Sequence, residues 1–154
     1  MGKKDDKNMF TRISQVGLVV KDLAKVVEGI ERVLGVKPDV YGETPDSGKK
    51  YRGKDEDFCA KLAFYRFANI EIELIQPIRG ESMWKEFLDS GREGLHHIRF
   101  STDSFQNVED AMKEKNIDLL MEGRSVGGPK MRWGCFDTED DMKFILEIFN
   151  EFEV

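Results

Sequence analysis

Cysteine is scarce in this chain, with two residues among 154. Cys59 and Cys135 lie far apart and lack the Cys-x-x-Cys spacing that is typical of a zinc or redox motif. The N-terminal sequence MGKKDDKN is charged and has no apolar core of a secretion signal, so nothing favours a disulfide. We therefore expect two reduced, partly buried thiols.

Long apolar runs and an excess of positive charge are also missing. No stretch approaches the length needed to cross a bilayer. The net charge of −6, with basic and acidic residues interleaved, disfavours binding to a phosphate backbone. These absences predict a cytoplasmic protein that binds neither nucleic acid nor membrane.

The composition is that of a globular protein, with 40% hydrophobic and 35% charged residues. A chain of this length has room for one domain with a core of ordinary size. We expect a disordered extension over residues 1–8 and a single domain over residues 9–154.

The hydrophobic pattern predicts the same order of elements twice. Residues 13–20 are typical of a strand, and a helix capped by Asp22 follows and ends at Gly35. A polar stretch, 38–57, predicts a short strand and a mobile loop, and two further strands are expected, the second ending at Pro77. After a helical connector at 82–88, the expected elements are a strand at about 95–102, a helix at 105–115, and strands at 118–122, 131–136 and 143–149. The predicted fold is α+β, with two βαβββ halves at about 9–78 and 94–150.

The two halves can be overlaid by setting Gln15 opposite His97. The apolar positions of the first strand and helix then coincide, and Glu73 falls opposite Glu147. The first half is longer, as its polar loop requires. This internal similarity favours duplication of one structural unit.

Four polar residues lie within the predicted apolar strands and are candidates for a functional site. Gln15 points away from the aliphatic row of its strand, and Glu73 does the same in its own. Glu147 lies within the apolar run KFILEIFN, where an unpaired buried carboxylate would be costly, so a metal ion is one suitable partner. His97 is the fourth candidate, and alternation predicts that the adjacent His96 points to the opposite face. The pattern is also compatible with a hydrogen-bonded core His97, an edge-strand Glu147 and a surface Gln15.

Several segments resemble the vicinal oxygen chelate superfamily, which includes glyoxalases, bleomycin resistance proteins and dioxygenases. QVGLVVKDL is similar to its opening strand, IEIELIQPIRGES to its fourth strand and connector, and LEIFN to its closing strand. GREGLHHIRF resembles the corresponding stretch of methylmalonyl-CoA epimerases. The resemblance runs from about Ile13 to Asn150. It implies a glyoxalase-like open barrel with a metal cleft, whose ligands are Gln15, Glu73, His97 and Glu147.

The sequence departs from the epimerases at two of these positions. They usually have His where Gln15 stands and often Gln where Glu73 stands. The set Gln, Glu, His and Glu is similar to that of zinc-dependent lactoylglutathione lyases. Iron-dependent ring cleavage, which uses two His and one carboxylate, is disfavoured by Gln15.

The resemblance and the donor chemistry together predict an enzyme that binds a divalent ion such as Zn, Co, Ni or Mn. We expect an isomerase or epimerase that acts on a small carbonyl compound through a metal-stabilised enolate, for example a methylmalonyl-CoA-like thioester. Glu147 or Glu73 is expected to act as the base. The alternatives are a lactoylglutathione lyase-like glyoxalase and, in another class, a non-catalytic small-molecule or antibiotic-binding protein. The expected partner is a small-molecule substrate, and the resemblance implies a homodimer.

Three further positions have open roles in the sequence. Arg99 shares the strand parity of His97, so it either meets an anionic group of the substrate or is exposed at the barrel rim. Glu71 shares the parity of Glu73 and either supports the site or is solvated. The turn at residues 127–129 resembles a loop that lies near the site in the superfamily, but Gly-Gly-Pro is also common in ordinary turns.

Overall fold

The computed structural model describes residues 9–45, 48–125 and 131–150. The predictions for residues 1–8 and for the turn at 127–129 lie outside this part of the chain. The described elements follow the predicted order, with three additions.

The first half contains five principal elements and a small hairpin. These are β1 (Arg12–Val19), α1 (Leu23–Leu34), β2 (Val40–Glu43), the hairpin strands β3 (Lys50–Tyr51) and β4 (Lys54–Asp55), β5 (Cys59–Arg66) and β6 (Glu71–Arg79). The connector is α2 (Met83–Asp89). The second half consists of β7 (Gly94–Thr102), α3 (Phe105–Glu114), β8 (Leu119–Arg124), β9 (Arg132–Phe136), a short α4 (Glu139–Met142) and β10 (Ile145–Asn150).

Helix α1 begins and ends where its sequence signals are placed. The Asp22 carboxylate accepts a hydrogen bond from the backbone N–H of Lys25 at 3.1 Å, which satisfies one of the free donors of the first turn. Gly35 closes the helix in the left-handed conformation, with φ of 70°. The apolar face of α1 packs with Leu74 and Tyr65 of the sheet, as its periodicity requires.

The strands of the described residues form one mixed sheet in the order β2-β5-β6-β1-β7-β10-β9-β8-β3-β4. The first half contributes the run β2-β5-β6-β1, and the second contributes its counterpart, β8-β9-β10-β7. Antiparallel pairing between β1 and β7 joins the halves at the centre. The prediction of an α+β fold with paired βαβββ modules is confirmed.

The strand register agrees with the overlay of the halves. Gly17 in β1 is opposite Glu73 in the parallel β6, and Arg99 in β7 is opposite Glu147 in the parallel β10. The overlay that aligns Gln15 with His97 also aligns Gly17 with Arg99. The first and last strands of each half therefore pair with the same register.

Pro77 does not end its strand, contrary to the sequence prediction. Strand β6 continues to Arg79, because the pairing with β5 shifts between Cys59 and Ala60, which is opposite Pro77. Such an irregularity accommodates a residue without a backbone N–H.

The polar stretch after β2 contains more structure than the predicted loop. Its hairpin crosses to the other half, where Lys50 and Tyr51 pair with Glu122 and Met121 of β8. The first half thereby supplies β3 and β4, which extend the sheet beyond β8, the outermost strand of the second half. Helix α2 supplies buried Met83, Trp84 and Phe87 to the core between the halves. No helix in the described residues is long and apolar enough to span a membrane.

Candidate metal centre

The four predicted ligands come from four adjacent strands of the sheet. Since β6, β1, β7 and β10 are neighbours, side chains of one face can converge across them. All four residues are buried, and the exposed fractions are 0% for Gln15, 1% for His97, 6% for Glu147 and 9% for Glu73. The alternative reading is therefore wrong in placing Gln15 and Glu147 at the solvent, whereas its buried, hydrogen-bonded His97 agrees with the structure.

His97 lies between two oxygen donors. Its Nε2 atom is 2.8 Å from Oε2 of Glu147 and 3.2 Å from Oε1 of Gln15. A neutral Nε2 carries at most one hydrogen, so it cannot donate a full hydrogen bond to both oxygens. The three atoms therefore form a compact set of donors for a cation.

The distances fit a shared metal ion. Ligand atoms that each lie about 2.1 Å from one ion are separated by about 3.0 Å in octahedral and about 3.4 Å in tetrahedral coordination. The distance from His97 Nε2 to Gln15 Oε1 falls in this range, and that to Glu147 Oε2 is slightly shorter. Three oxygen donors and one imidazole suit a borderline or hard divalent cation. Among the residues described, no group of three or more His, Cys, Asp or Glu side chains is arranged so that it could hold a metal ion as it stands, and Nε2 of His97 contacts Oε2 of Glu147 directly.

The electrostatics of the carboxylates also fit a cation. Burial, and then repulsion by Glu147, raise the pKa of Glu73 from 4.5 to about 7. Burial alone would lower the pKa of His97, but the negative charges of Glu147 and Glu73 outweigh it and raise that pKa. A bound divalent ion would supply the positive charge that this cluster otherwise obtains from protons.

Gly17 makes room for the imidazole. Gly17 is opposite His97 in the β1–β7 pair, and a Cβ atom at position 17 would lie 1.9 Å from Cε1 of His97. The ring therefore occupies the space above a residue that has no side chain. Sequence reasoning missed this role, for which the glycine within an otherwise apolar strand is the available signal.

Glu71 orients the Gln15 amide. Oε1 of Glu71 accepts a hydrogen bond from Nε2 of Gln15 at 2.6 Å, so the amide oxygen is turned towards His97. Arg66 and Arg99 lie 3.3 and 3.8 Å from the Glu71 carboxylate. Of the two roles considered for Glu71, the structure supports that of a residue beside the site.

The two histidines do not point to opposite faces, contrary to the expectation from strand alternation. Gly17 is opposite His97 and Leu18 is opposite Leu95, so His96 is the extra residue of a β-bulge in β7. The bulge breaks the alternation, and the Nδ1 atoms of His96 and His97 lie 3.1 Å apart.

A cavity of about 480 Å³ opens beside the four residues. Glu73 and Glu147 line it, whereas the fully buried Gln15 and His97 lie next to them behind the surface. Arg99 also lines the cavity and donates a hydrogen bond from Nε to Ser14 Oγ at 2.9 Å. The apolar part of the wall comes from both halves and includes Leu62, Phe64, Trp84, Met131, Trp133 and Phe149.

Cys135 belongs to the same wall. It is buried, lies opposite Glu147 in the β9–β10 pair and lines the cavity. Burial raises the pKa of its thiol well above the usual value, so the thiol is neutral. Both cysteines are free, as the sequence predicted, and they are fully rather than partly buried.

The sequence profile of the glyoxalase/bleomycin resistance protein/dioxygenase superfamily matches residues 14–134. The chain belongs to this superfamily, which confirms the assignment made from the sequence segments.

Its relatives include methylmalonyl-CoA epimerases. The chain is 26% identical to the mitochondrial methylmalonyl-CoA epimerase of Bos taurus over 117 residues, which cover 75% of this chain and 61% of the bovine protein. It is 25% identical to the uncharacterized protein YqjC of Bacillus subtilis, with 72% of this chain and 71% of that protein covered. The match thus spans about three fifths of the mammalian enzyme.

The fold is similar to that of a solved epimerase. A variant of the Streptomyces coelicolor methylmalonyl-CoA epimerase in complex with 2-nitronate-propionyl-CoA superposes with a TM-score of 0.70 and 20% identity, over 94% of this chain and 97% of that one. This likeness confirms the predicted glyoxalase-like architecture. The prediction of an enzyme is supported by the activity named for the mammalian relatives.

Proposed function

We propose that this protein is a divalent-metal-dependent epimerase that acts on a small 2-carboxyacyl thioester such as methylmalonyl-CoA. The observation that carries the proposal is the convergence of Gln15, Glu73, His97 and Glu147 from four adjacent strands beside one cavity. The similarity to mammalian methylmalonyl-CoA epimerases supports the choice of substrate class.

The four side chains would hold the ion through Nε2 of His97, the amide oxygen of Gln15 and the two carboxylates. Zn, Co, Ni and Mn suit this donor set. When bound, the ion supplies Lewis acidity that stabilises negative charge developing on a substrate carbonyl oxygen.

The protein supplies the proton transfer. Glu73 and Glu147 both line the cavity, so either carboxylate can meet a C–H bond next to a carbonyl group. If one carboxylate removes that proton from one face of the carbon and the other, in its protonated form, returns a proton on the opposite face, the configuration is inverted. The neutral Cys135 thiol beside Glu147 contributes no competing charge.

The cavity wall defines what surrounds the reacting carbon. The aromatic side chains of Phe64, Trp84 and Trp133 exclude water, which strengthens electrostatic interactions at the site. Arg66 and Arg99 line the same cavity together with Glu71, whose single carboxylate they share, so the group carries a net positive charge for an anionic substrate. An acyl group that carries a carboxylate fits this combination.

The first test is metal binding. Protein stripped with a chelator should take up close to one divalent ion per chain, as measured by elemental analysis and titration with zinc or cobalt. His97→Ala should lose most of this affinity because it removes the nitrogen ligand. If the wild-type protein takes up no ion, a non-catalytic binding protein becomes the better explanation of the fold.

The second test is exchange of the substrate proton with solvent. With metal and methylmalonyl-CoA in D₂O, mass spectrometry should show deuterium entering the position between the two carbonyl groups. Glu147→Gln and Glu73→Gln form a matched pair, compared at equal metal occupancy. The variant that lowers exchange more than it weakens substrate binding identifies the base.

A lactoylglutathione lyase-like activity is the second candidate, because the set Gln, Glu, His and Glu resembles that of those enzymes. The hemithioacetal of methylglyoxal and glutathione is the substrate that tests it. Turnover of this compound, with no exchange in methylmalonyl-CoA, would replace the epimerase proposal.

A further inference from the structure

We infer that His96 is a positioning residue, which accepts a hydrogen bond from Nδ1 of His97 and so presents Nε2 of His97 to the metal ion. This inference rests on the metal centre of the proposed function. It assigns a role to the first histidine of the pair, which contacts neither carboxylate in the hydrogen bonds and ion pairs of the described residues.

The bulge in β7 brings the two rings together. Their centroids are 5.4 Å apart and their planes are at 85°, with the two Nδ1 atoms at hydrogen-bond distance. Both residues are buried, with exposed fractions of 4% for His96 and 1% for His97. Water therefore competes little for this contact.

The proton arrangement follows from the chemistry of imidazole. A ring nitrogen that binds a metal offers a lone pair, and the other nitrogen then carries the hydrogen. If His97 binds through Nε2, its Nδ1–H must donate, and the acceptor 3.1 Å away is Nδ1 of His96. His96 must accordingly be neutral, with its own hydrogen on Nε2.

Helix α2 holds the acceptor in place. The ring of Phe87 meets the His96 ring edge to face, at 5.1 Å and 90°. The Arg92 guanidinium lies 4.5 Å from the centroid of the same phenyl ring. The segment that connects the halves thus contacts His96, and His96 contacts the candidate metal ligand His97. Such outer contacts fix the orientation and tautomer of metal-bound histidines.

The test compares two substitutions of His96. His96→Asn keeps an oxygen acceptor where Nδ1 stands, whereas His96→Phe keeps a ring but has no acceptor. We expect zinc affinity, measured by competition with a chromophoric chelator, to fall about 10- to 100-fold in His96→Phe and to stay near the wild-type value in His96→Asn. Melting temperatures of the metal-free variants show whether both remain folded. Equal affinity in the wild type and a folded His96→Phe would overturn the inference.

The tautomers provide a second readout that does not depend on activity. The chain has two histidines, so ¹⁵N-labelled imidazoles yield two sets of ring nitrogen signals. With zinc bound, we expect a protonated Nδ1 on His97, and on His96 an unprotonated Nδ1 and a protonated Nε2. A proton on Nδ1 of His96 would overturn the inference even if metal binds.

The binding measurements separate this inference from the proposed function. If the wild type binds no zinc, the proposed metal centre fails and this inference fails with it. If the wild type binds zinc and a folded His96→Phe binds it equally tightly, only the inference fails.

Discussion

At the scale of single residues, the site depends on a missing side chain and on buried charges. The imidazole of His97 lies above Gly17. The carboxylates of Glu73 and Glu147, beside this ring, are close enough to repel each other. Burying such groups without a counter-charge is unfavourable, so the cluster is better explained by ligand binding than by its contribution to stability.

Gly17→Ala should abolish tight metal binding. The added Cβ would overlap the His97 ring, which must move away from Gln15 and Glu147. We expect zinc affinity to fall by at least about 100-fold, which is the upper end of the loss caused by removing an outer contact of a metal ligand. We also expect the fold to be destabilised by about 1–3 kcal/mol, because the added methyl group overpacks the site. Chelator competition and chemical unfolding measure the two effects.

Gly42→Ala is the matched control, since Gly42 also lies in a strand and a Cβ there meets nothing within 4 Å. It should leave metal affinity unchanged. Wild-type affinity in Gly17→Ala would show that His97 is not the ligand.

The pKa shifts predict that the metal-free protein loses stability as pH rises. The pKa of Glu73 is raised in the folded state, so its stabilising contribution is present below pH 4.5 and is lost as pH rises through about 7. The pKa of His97 is also raised in the folded state, so its stabilising contribution is likewise lost as the pH rises above 6.5. Melting temperatures measured with a chelator should therefore fall over this range, and less so in Glu73→Gln.

Bound metal should reverse this trend. The ion binds the deprotonated ligands, so its affinity, and the increase in melting temperature that it causes, should grow with pH. A metal-free melting temperature that does not change across this range would contradict the assigned coupling.

At the scale of elements, two structures connect the halves beyond the central strands. Helix α2 packs its aromatic side chains between them, with Trp84 and Trp133 at 6.0 Å between ring centroids. The β3–β4 hairpin crosses from the first half to β8 of the second. Tyr51 anchors the hairpin, because its side chain is buried and its hydroxyl donates to Glu86 of α2.

Tyr51→Ala should destabilise the fold by about 3 kcal/mol, as expected for deleting a large buried aromatic side chain. Arg52→Ala is the neighbouring control, since Arg52 forms an exposed ion pair with Glu86 whose loss should cost less than about 1 kcal/mol. Urea unfolding monitored by tryptophan fluorescence compares them. Equal effects would show that the hairpin is not anchored through Tyr51.

At the scale of the whole molecule, the two halves form one site, because each supplies two of the four candidate ligands. Gln15 and Glu73 come from the first and His97 and Glu147 from the second. Neither half alone contains the site.

We predict that the protein is a homodimer in solution. The resemblance to the superfamily implies this state, and several large apolar side chains are exposed, among them Val33, Leu34 and Leu95. Light scattering coupled to size-exclusion chromatography should yield a mass twice that of the 17.8 kDa chain. A Leu34→Lys variant tests whether α1 belongs to the interface, and a monomeric mass for the wild type would reject the prediction.

The sequence alone determined the repeated order of elements and the residues that converge. Apolar periodicity is a local property, so it located β1, α1 and β7, and alternation placed Gln15 and Glu73 away from the aliphatic rows. The segments that resemble the superfamily added the roles of His97 and Glu147, whose partners no local pattern could supply.

Only the tertiary structure decided the contacts between distant strands. The bulge at His96 and the irregularity opposite Pro77 depend on how each strand pairs with its neighbour. The hydrogen bond from Gln15 to Glu71 and the space above Gly17 likewise require β6, β1 and β7 to lie side by side. Strand periodicity shows which face a residue occupies, but register shifts and long-range packing determine which atoms meet on that face.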